Sequence, residues 1–289
     1  MWRISQDGTR VRACVGSGSF RRRERLKQLH RQAQSHVEHL RRQLEDPALS
    51  AEVSARQRAA RLRALEDREK RLEQALAQLP ELERKKLQRK VAKDKKPEVS
   101  QLRVSTTDPE ARVMRMSDGG YRPAVNVQLA CDPQSRAIVG VDVSSEGSDA
   151  GQSEPLRRQV EARTGQRVKE QLLDGAYLNL QEVERAEQQQ VTLYVPAKVP
   201  KNPEKRKNPY EPRSTDSPAV RAWRQRMGSE EGQAIYKLRA STIETVNADL
   251  KSYRGLHRLT VRGLGKVRCV VLWSALAYNL LHFGAALLT

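Results

Sequence analysis

Residues 124–143 read Ala124-Val125-Asn126-Val127-Gln128-Leu129-Ala130-Cys131-Asp132-Pro133-Gln134-Ser135-Arg136-Ala137-Ile138-Val139-Gly140-Val141-Asp142-Val143. Two runs rich in Val, Ile and Leu flank a segment in which Asp132, Pro133 and Ser135 supply turn chemistry. The pattern predicts a β-hairpin, with strands over 124–130 and 137–143. Working outward, a helix is expected from about 153 to 162. A short strand Glu170-Gln171-Leu172-Leu173 follows and ends at Asp174-Gly175-Ala176-Tyr177. A helix at about 180–189 leads to a strand at 191–195. Upstream, Arg10-Val11-Arg12-Ala13-Cys14-Val15 alternates weakly as a strand after Asp7-Gly8-Thr9. Strands and helices thus interleave, which predicts an α/β fold with a mixed sheet and flanking helices.

The remaining segments divide by composition. Over residues 20–95, Leu26, Leu29, Ala33, Val37, Leu40 and Leu44 recur at helical spacing. Asp46-Pro47 breaks the run, and Ser50 is a plausible N-cap for a second helix carrying Leu62, Leu65, Leu72, Leu76 and Leu79. This predicts an inserted basic, coiled-coil-like helical hairpin. Either it touches DNA or a partner subunit, or it is a structural hairpin with a solvated Arg/Lys face. Residues 96–118 read as irregular and 198–217 as a solvated basic loop. From about 229 the chain turns helical through Lys251, and an apolar helix closes it. The domain reading is therefore 1–19 plus 96–289 as one domain, with 20–95 inserted.

Charge narrows the function. The chain has 289 residues with 54 Lys+Arg against 35 Asp+Glu, a net +19. Such a surplus points to a polyanionic partner. It is unevenly placed. Residues 21–95 carry 22 basic and 12 acidic side chains, residues 201–268 carry 16 and 7, and residues 131–200 carry 8 and 11. Basic arms around a mildly acidic centre suit an enzyme with a carboxylate metal site acting on DNA; a DNA coat protein has no need of that centre. Three cysteines, Cys14, Cys131 and Cys269, form no CxxC or Cys/His cluster, so neither zinc nor a disulfide framework is supported. A reducing cytosol fits. No signal peptide is legible after Met1-Trp2-Arg3-Ile4. The stretch 269–289 is about long enough to span a bilayer, but Ser274, Asn279 and His282 and its many alanines favour a packed helix.

Three acids stand out. Asp7 lies beside the first strand, Asp174 closes a strand before the small Gly175, and Glu244 lies mid-helix. On a wheel of about 100° per residue, Tyr236, Glu244, Asn247 and Lys251 fall within roughly 80°, with Arg239 roughly 60° outside. One helix face can then carry a metal-binding carboxylate between phosphate-binding cations. Taken singly, a strand-end Asp is more often a turn residue or cap, and a helical Glu more often solvated. Asp142 and Asp149 are alternative acids, read as structural.

The stretch Gly119-Gly120-Tyr121-Arg122-Pro123 with the strand after it resembles the DDE transposases of bacterial insertion sequences, of the IS4/IS5-like and particularly the IS1182-like type. So do Ile138–Val143 with Gly147-Ser148-Asp149-Ala150, and Leu173-Asp174-Gly175-Ala176-Tyr177. The series Tyr236-x-x-Arg239…Glu244-x6-Lys251 is similar to the family's Tyr-Arg-Glu-Lys signature, except that four residues separate Arg239 from Glu244 where the general pattern has three. Leu259-Thr260-Val261-Arg262-Gly263-Leu264 agrees as well, and Asp7-Gly8-Thr9 falls where the first catalytic aspartate belongs.

The resemblance implies a ribonuclease H-like fold in which Asp7, Asp174 and Glu244 are catalytic and bind two Mg²⁺ ions, with Mn²⁺ as a substitute. It implies DNA strand cleavage and strand transfer at element ends, with Tyr236, Arg239, Asn247 and Lys251 on the DNA side. Phosphodiester chemistry with hard cations needs oxygen ligands only, which suits a chain whose five His are scattered. DNA (terminal repeats and target) and a second copy of the chain are the implied partners, with no membrane. The implied place is the cytoplasm, on the nucleoid. Family members carry a DNA-binding region ahead of the first aspartate, so the expectation is a catalytic part of a longer or truncated transposase. A non-catalytic DNA-binding or assembly protein that kept the fold is the alternative.

Overall fold

A computed structural model describes residues 3–45, 54–88, 99–198 and 208–287. The chain packs as two units: 1–12 with 125–259 and 264–289, and 13–124 with 260–263.

The first unit is built on a mixed sheet. Its strands are β1 (Arg3–Arg12), β5 (Tyr121–Cys131, from Val125 on), β6 (Ile138–Ser144), β7 (Glu170–Leu172) and β8 (Thr192–Tyr194). Spatially they run β6-β5-β1-β7-β8. The expected hairpin forms: β5 and β6 pair antiparallel from Asn126↔Ser144 to Cys131↔Ile138, with a bulge at Ala130/Cys131. β1, β7 and β8 pair parallel, through Arg3↔Glu170 and Glu170↔Thr192. β5 is buried on both faces from Pro123 to Cys131, which explains its near-continuous apolar run.

Helices cover this sheet. α3 (Ser153–Thr164) lies so close to β6 that a Cβ on Gly140 would stand 2.7 Å from Val160 Cγ2. A cluster of Ile4, Ala130, Leu156, Val160 and Val168 seals that contact. α4 (Leu180–Gln188) and α5 (Pro218–Gly228) enclose Leu172, Leu193, Tyr194 and Trp223 in a second cluster. Burial of such side chains contributes about 1.5–3 kcal/mol each. α5 is a correction to the sequence reading, which started helix at about 229. Its start is in fact well encoded: Ser217 accepts from the Val220 amide as N-cap, and Pro218 takes the position where no amide donor is needed. The Trp223 indole then donates to the Val195 carbonyl at 3.1 Å.

α6 (Glu230–Arg239), a π turn (Ala240–Glu244) and α7 (Thr245–Ser252) form one continuous helical rod. α8 (Leu264–Leu287) closes the unit. Over Leu264–Ala285 it is long and apolar enough, by length and composition, to cross a membrane. One face is packed: Val267, Val271, Ala275 and Tyr278 are buried. Asn279 accepts from the Ile138 amide at 2.9 Å and donates to the Ile138 carbonyl at 2.8 Å, tying α8 to β6. The opposite face leaves Trp273, Leu276, Leu280 and Leu281 exposed, so the expected packed helix is packed on one side.

The second unit contains β2 (Phe20–Arg21), α1 (Arg23–Glu45), α2 (Ala55–Gln88), β3 (Val104–Ser105) and β4 (Arg112–Arg115). Leu26 and Ala33 of α1 meet Leu72, Ala75 and Leu79 of α2, with Val104 beside them. Arg23 pairs with Glu83, and Arg41 with Glu66 at 2.7 Å. An early α1 residue opposite a late α2 residue, and the reverse, makes the helices antiparallel. The expected break at Asp46-Pro47 and the cap at Ser50 lie outside the described residues. Residues 99–118 are less irregular than expected: β3 pairs antiparallel with β2, and β4 with the first residues of β5.

Candidate active site

The first strand is longer than the alternation suggested. β1 starts at Arg3, so Asp7 sits inside it rather than beside it. Successive strand residues face opposite sides of the sheet, which separates the roles of Gln6, Asp7 and Gly8.

On the Gln6 side, amide side chains from adjacent strands form a ladder. Gln171 of β7 donates to Gln6 Oε1 at 2.7 Å, and Gln6 donates to Gln128 Oε1 of β5 at 3.0 Å. Tyr177 also donates to Gln128 Oε1. The ladder ends on Asp149, 3% exposed, which accepts from Asn126, Gln128 and Arg10, each at 2.8 Å. Gly8 is the condition for this approach: a Cβ there would stand 2.1 Å from Asp149 Oδ1. The structural reading of Asp149 matches these bonds. Asp142 is half-buried, its carboxylate 3.9 Å from Arg268. The ladder was missed in the sequence, although Gln6, Asn126, Gln128 and Gln171 are amides inside apolar strands. Such positions persist in a core only when paired.

On the Asp7 side lie the π turn and α7. Arg239 Nη2 donates to Asp7 Oδ1 at 2.8 Å, and Nη1 of the same guanidinium donates to Glu244 Oε1 at 2.6 Å. Asn247 Nδ2 donates to Asp7 Oδ2 at 2.8 Å. One cation therefore joins acids 237 positions apart, since Glu244 minus Asp7 is 237. The spacing of Arg239 and Glu244 becomes intelligible here. Five positions apart, they would lie about 140° apart on a straight α-helix. The π turn between them closes i→i+5 bonds and brings the two onto neighbouring turns on one side. A wheel drawn at a uniform 100° set Arg239 outside the face because it assumed no such turn.

Asp174 follows β7 at the carboxyl end of the sheet's parallel strands and precedes the 3₁₀ turn Gly175–Tyr177. Its side chain makes no capping bond to that turn, so its carboxylate is not used as a cap. Burial pushes the Asp7 carboxyl above its ordinary value, Arg239 pulls it down, and the charge of Asp174 pushes it up again. Asp174 is thus close enough to be felt at Asp7. Burial works against the Arg239 charge, but Asp7, Tyr236, Asp174 and Glu244 more than offset it.

The four residues expected on the DNA side differ in surroundings. Arg239 and Asn247 are each 7% exposed and turned onto acids. Tyr236 is half-buried at the edge of the cluster around Trp223. Lys251 is half-buried, and burial lowers its pKa while Asp7 opposes that shift.

Among the described residues, no three His, Cys, Asp or Glu side chains stand close enough together to hold a metal. The donor chemistry nevertheless fits a hard divalent cation. The acids offer oxygen only, two of them already share one cation, and the third is felt by the first. Comparison with curated proteins and with solved structures returned no match. The family description "Transposase DDE domain" matches residues 100–280, a span that includes Asp174, Arg239, Glu244, Asn247 and Lys251 and starts after β1. With most of its length so matched, the chain belongs to the transposase DDE domain family.

Proposed function

We propose that this chain is the catalytic region of an insertion-sequence transposase of the IS1182-like type, which cleaves DNA strands at element ends and transfers them to target DNA. The observation that carries this reading is the single guanidinium gripped by Asp7 and Glu244, with Asp174 near enough to act on Asp7. The strand order β6-β5-β1-β7-β8, antiparallel on one side of β1 and parallel on the other, supports a ribonuclease H-like core. In this reading residues 1–19 and 96–289 are the catalytic domain, and 20–95 form an inserted coiled-coil hairpin. The protein acts as a homodimer across paired ends in the cytoplasm, on the nucleoid.

Asp7, Asp174 and Glu244 would hold two Mg²⁺, or Mn²⁺, ions. Divalent ions at such a site activate a hydroxyl nucleophile and neutralise a leaving alkoxide. The protein's own groups set the stage. Asn247 fixes the Asp7 carboxylate from one side, and the residue that carries it lies within β1. Lys251, near Asp7, offers a positive charge to a phosphate entering at that carboxylate. Tyr236 braces the helix that carries Arg239. The basic hairpin and the basic segments around Glu244 hold DNA by its backbone, so binding weakens steeply with salt.

The test is Mg²⁺-dependent cleavage of a duplex carrying the inverted repeats that flank the gene. Asp174→Asn and Glu244→Gln should each lose cleavage while keeping DNA binding. Variants that both cut like the parent refute the assignment.

A further inference from the structure

We propose that Arg239 is the resident counter-cation of the Asp7–Glu244 pair and must release both carboxylates before a divalent ion is held there. The inference rests on the metal reading above and adds an occupant that the ion has to displace. Both terminal nitrogens of the guanidinium are engaged, one on each acid, at 2.8 and 2.6 Å. These are lengths of charge-assisted bonds. The residue is 7% exposed, and its Nε is buried without a hydrogen-bond partner. The grip on the two acids is thus obtained while another donor goes unmet. A buried guanidinium with an unmet donor costs free energy unless its terminal bonds offset it.

With a guanidinium joining Asp7 to Glu244, neither forms with Asp174 a set of three close enough for an ion. Glu244 is the more exposed half: its side chain is 52% exposed against 19% for Asp7. It sits at the end of the π turn, where one rearranged turn re-aims it. Asp7 is locked in a strand and held by Asn247 as well. Release of Arg239 therefore means movement of Glu244 and of the Arg239 side chain, with β1 unmoved. The freed guanidinium then faces the same space as the acids, where a phosphate oxygen can replace the carboxylates as its partner.

A DNA-free experiment reads this without catalysis. Mn²⁺ is titrated into the parent and into Arg239→Gln, and free ion is followed by electron paramagnetic resonance. Lys251→Gln, which removes a charge near Asp7 but no bridge, measures the plain charge effect. Charge-assisted bonds of the size lost here predict Mn²⁺ binding about tenfold tighter in Arg239→Gln than in the parent, and tighter than in Lys251→Gln. If Arg239→Gln does not fold by circular dichroism, Arg239→Lys decides. It keeps a cation in place, but a lysine ammonium is a point charge without the fork that spans two acids, so tightening beyond Lys251→Gln is still expected. Tightening no greater than in Lys251→Gln, in the folded variant, overturns the proposal. Glu244→Gln separates the two levels: if it binds Mn²⁺ as the parent does, the metal reading itself fails. If it loses Mn²⁺ while the Arg239 variants do not tighten, only the counter-cation role fails.

Discussion

Gly8→Ala should be among the most damaging single-methyl changes in this chain. The added Cβ would stand 2.1 Å from Asp149 Oδ1, 2.4 Å from Gln128 Nε2 and 2.8 Å from Asp149 Cγ. None of these atoms is the free end of a mobile side chain, because Asp149 is held by Asn126, Gln128 and Arg10 and Gln128 by Gln6 and Tyr177. Overpacking a tight interior costs about 1–3 kcal/mol. Pushing Asp149 off even one of its charge-assisted bonds adds about 1.5–3 kcal/mol. The sum is about 2.5–6 kcal/mol, a large part of the about 5–15 kcal/mol that a domain possesses. Among the described residues, the tryptophans Trp223 and Trp273 lie in the first unit. Their fluorescence in urea therefore reports the unfolding of that unit. Gly265→Ala in α8 is the control, since its Cβ meets nothing within 4 Å and alanine is the better helix former. The expected result is a midpoint lowered strongly in Gly8→Ala and unchanged or raised in Gly265→Ala. A Gly8→Ala midpoint equivalent to less than about 1 kcal/mol of change would refute the claim that the ladder reaches Asp149 across Gly8.

Two further outcomes follow from single residues. Burial pushes the Cys131 thiol up to about 12, against a weaker opposing bond from Thr242. Only the thiolate is nucleophilic, so at pH 8 Cys131 should resist iodoacetamide in the folded protein while exposed Cys269 reacts; mass spectrometry of the alkylated peptides decides, and equal labelling contradicts the burial. Asn279→Ala removes both bonds to the Ile138 backbone and should cost about 1–3 kcal/mol in the same urea assay. If Asn279→Leu is as stable as the parent, α8 is not tied to β6 through that amide.

Much of the sheet was legible locally. The runs 124–130 and 137–143 and the turn residues between them encode a hairpin through side-chain period and turn chemistry alone. The strand at 170–172 and the helices at 153–164 and 180–188 were readable in the same way. The missed helix at 218–228 was masked by the Pro- and Lys-rich residues before it, although Ser217-Pro218 is a local start signal. The short strands β3 and β4 were not readable. Two to four residues show no period, and their partners lie elsewhere in the chain.

The site divides along the same line. Sequence alone determined which residues deserved attention, namely Asp7, Asp174, Glu244 and the Tyr236–Lys251 series, because residue type and spacing are local facts. It also determined that basic arms flank an acidic centre. Only tertiary structure decided that Arg239 faces inward onto two carboxylates, that Asn247 serves Asp7, and that Gly8 admits Asp149. Those facts depend on the pairing of β1 with β5 and β7, strands far apart in the chain, and on one π turn that changes the helix phase by a single residue. A periodic reading assumes one fixed turn angle and one strand at a time, so contacts that arise from an altered angle or from strand pairing are decided only when the chain is folded.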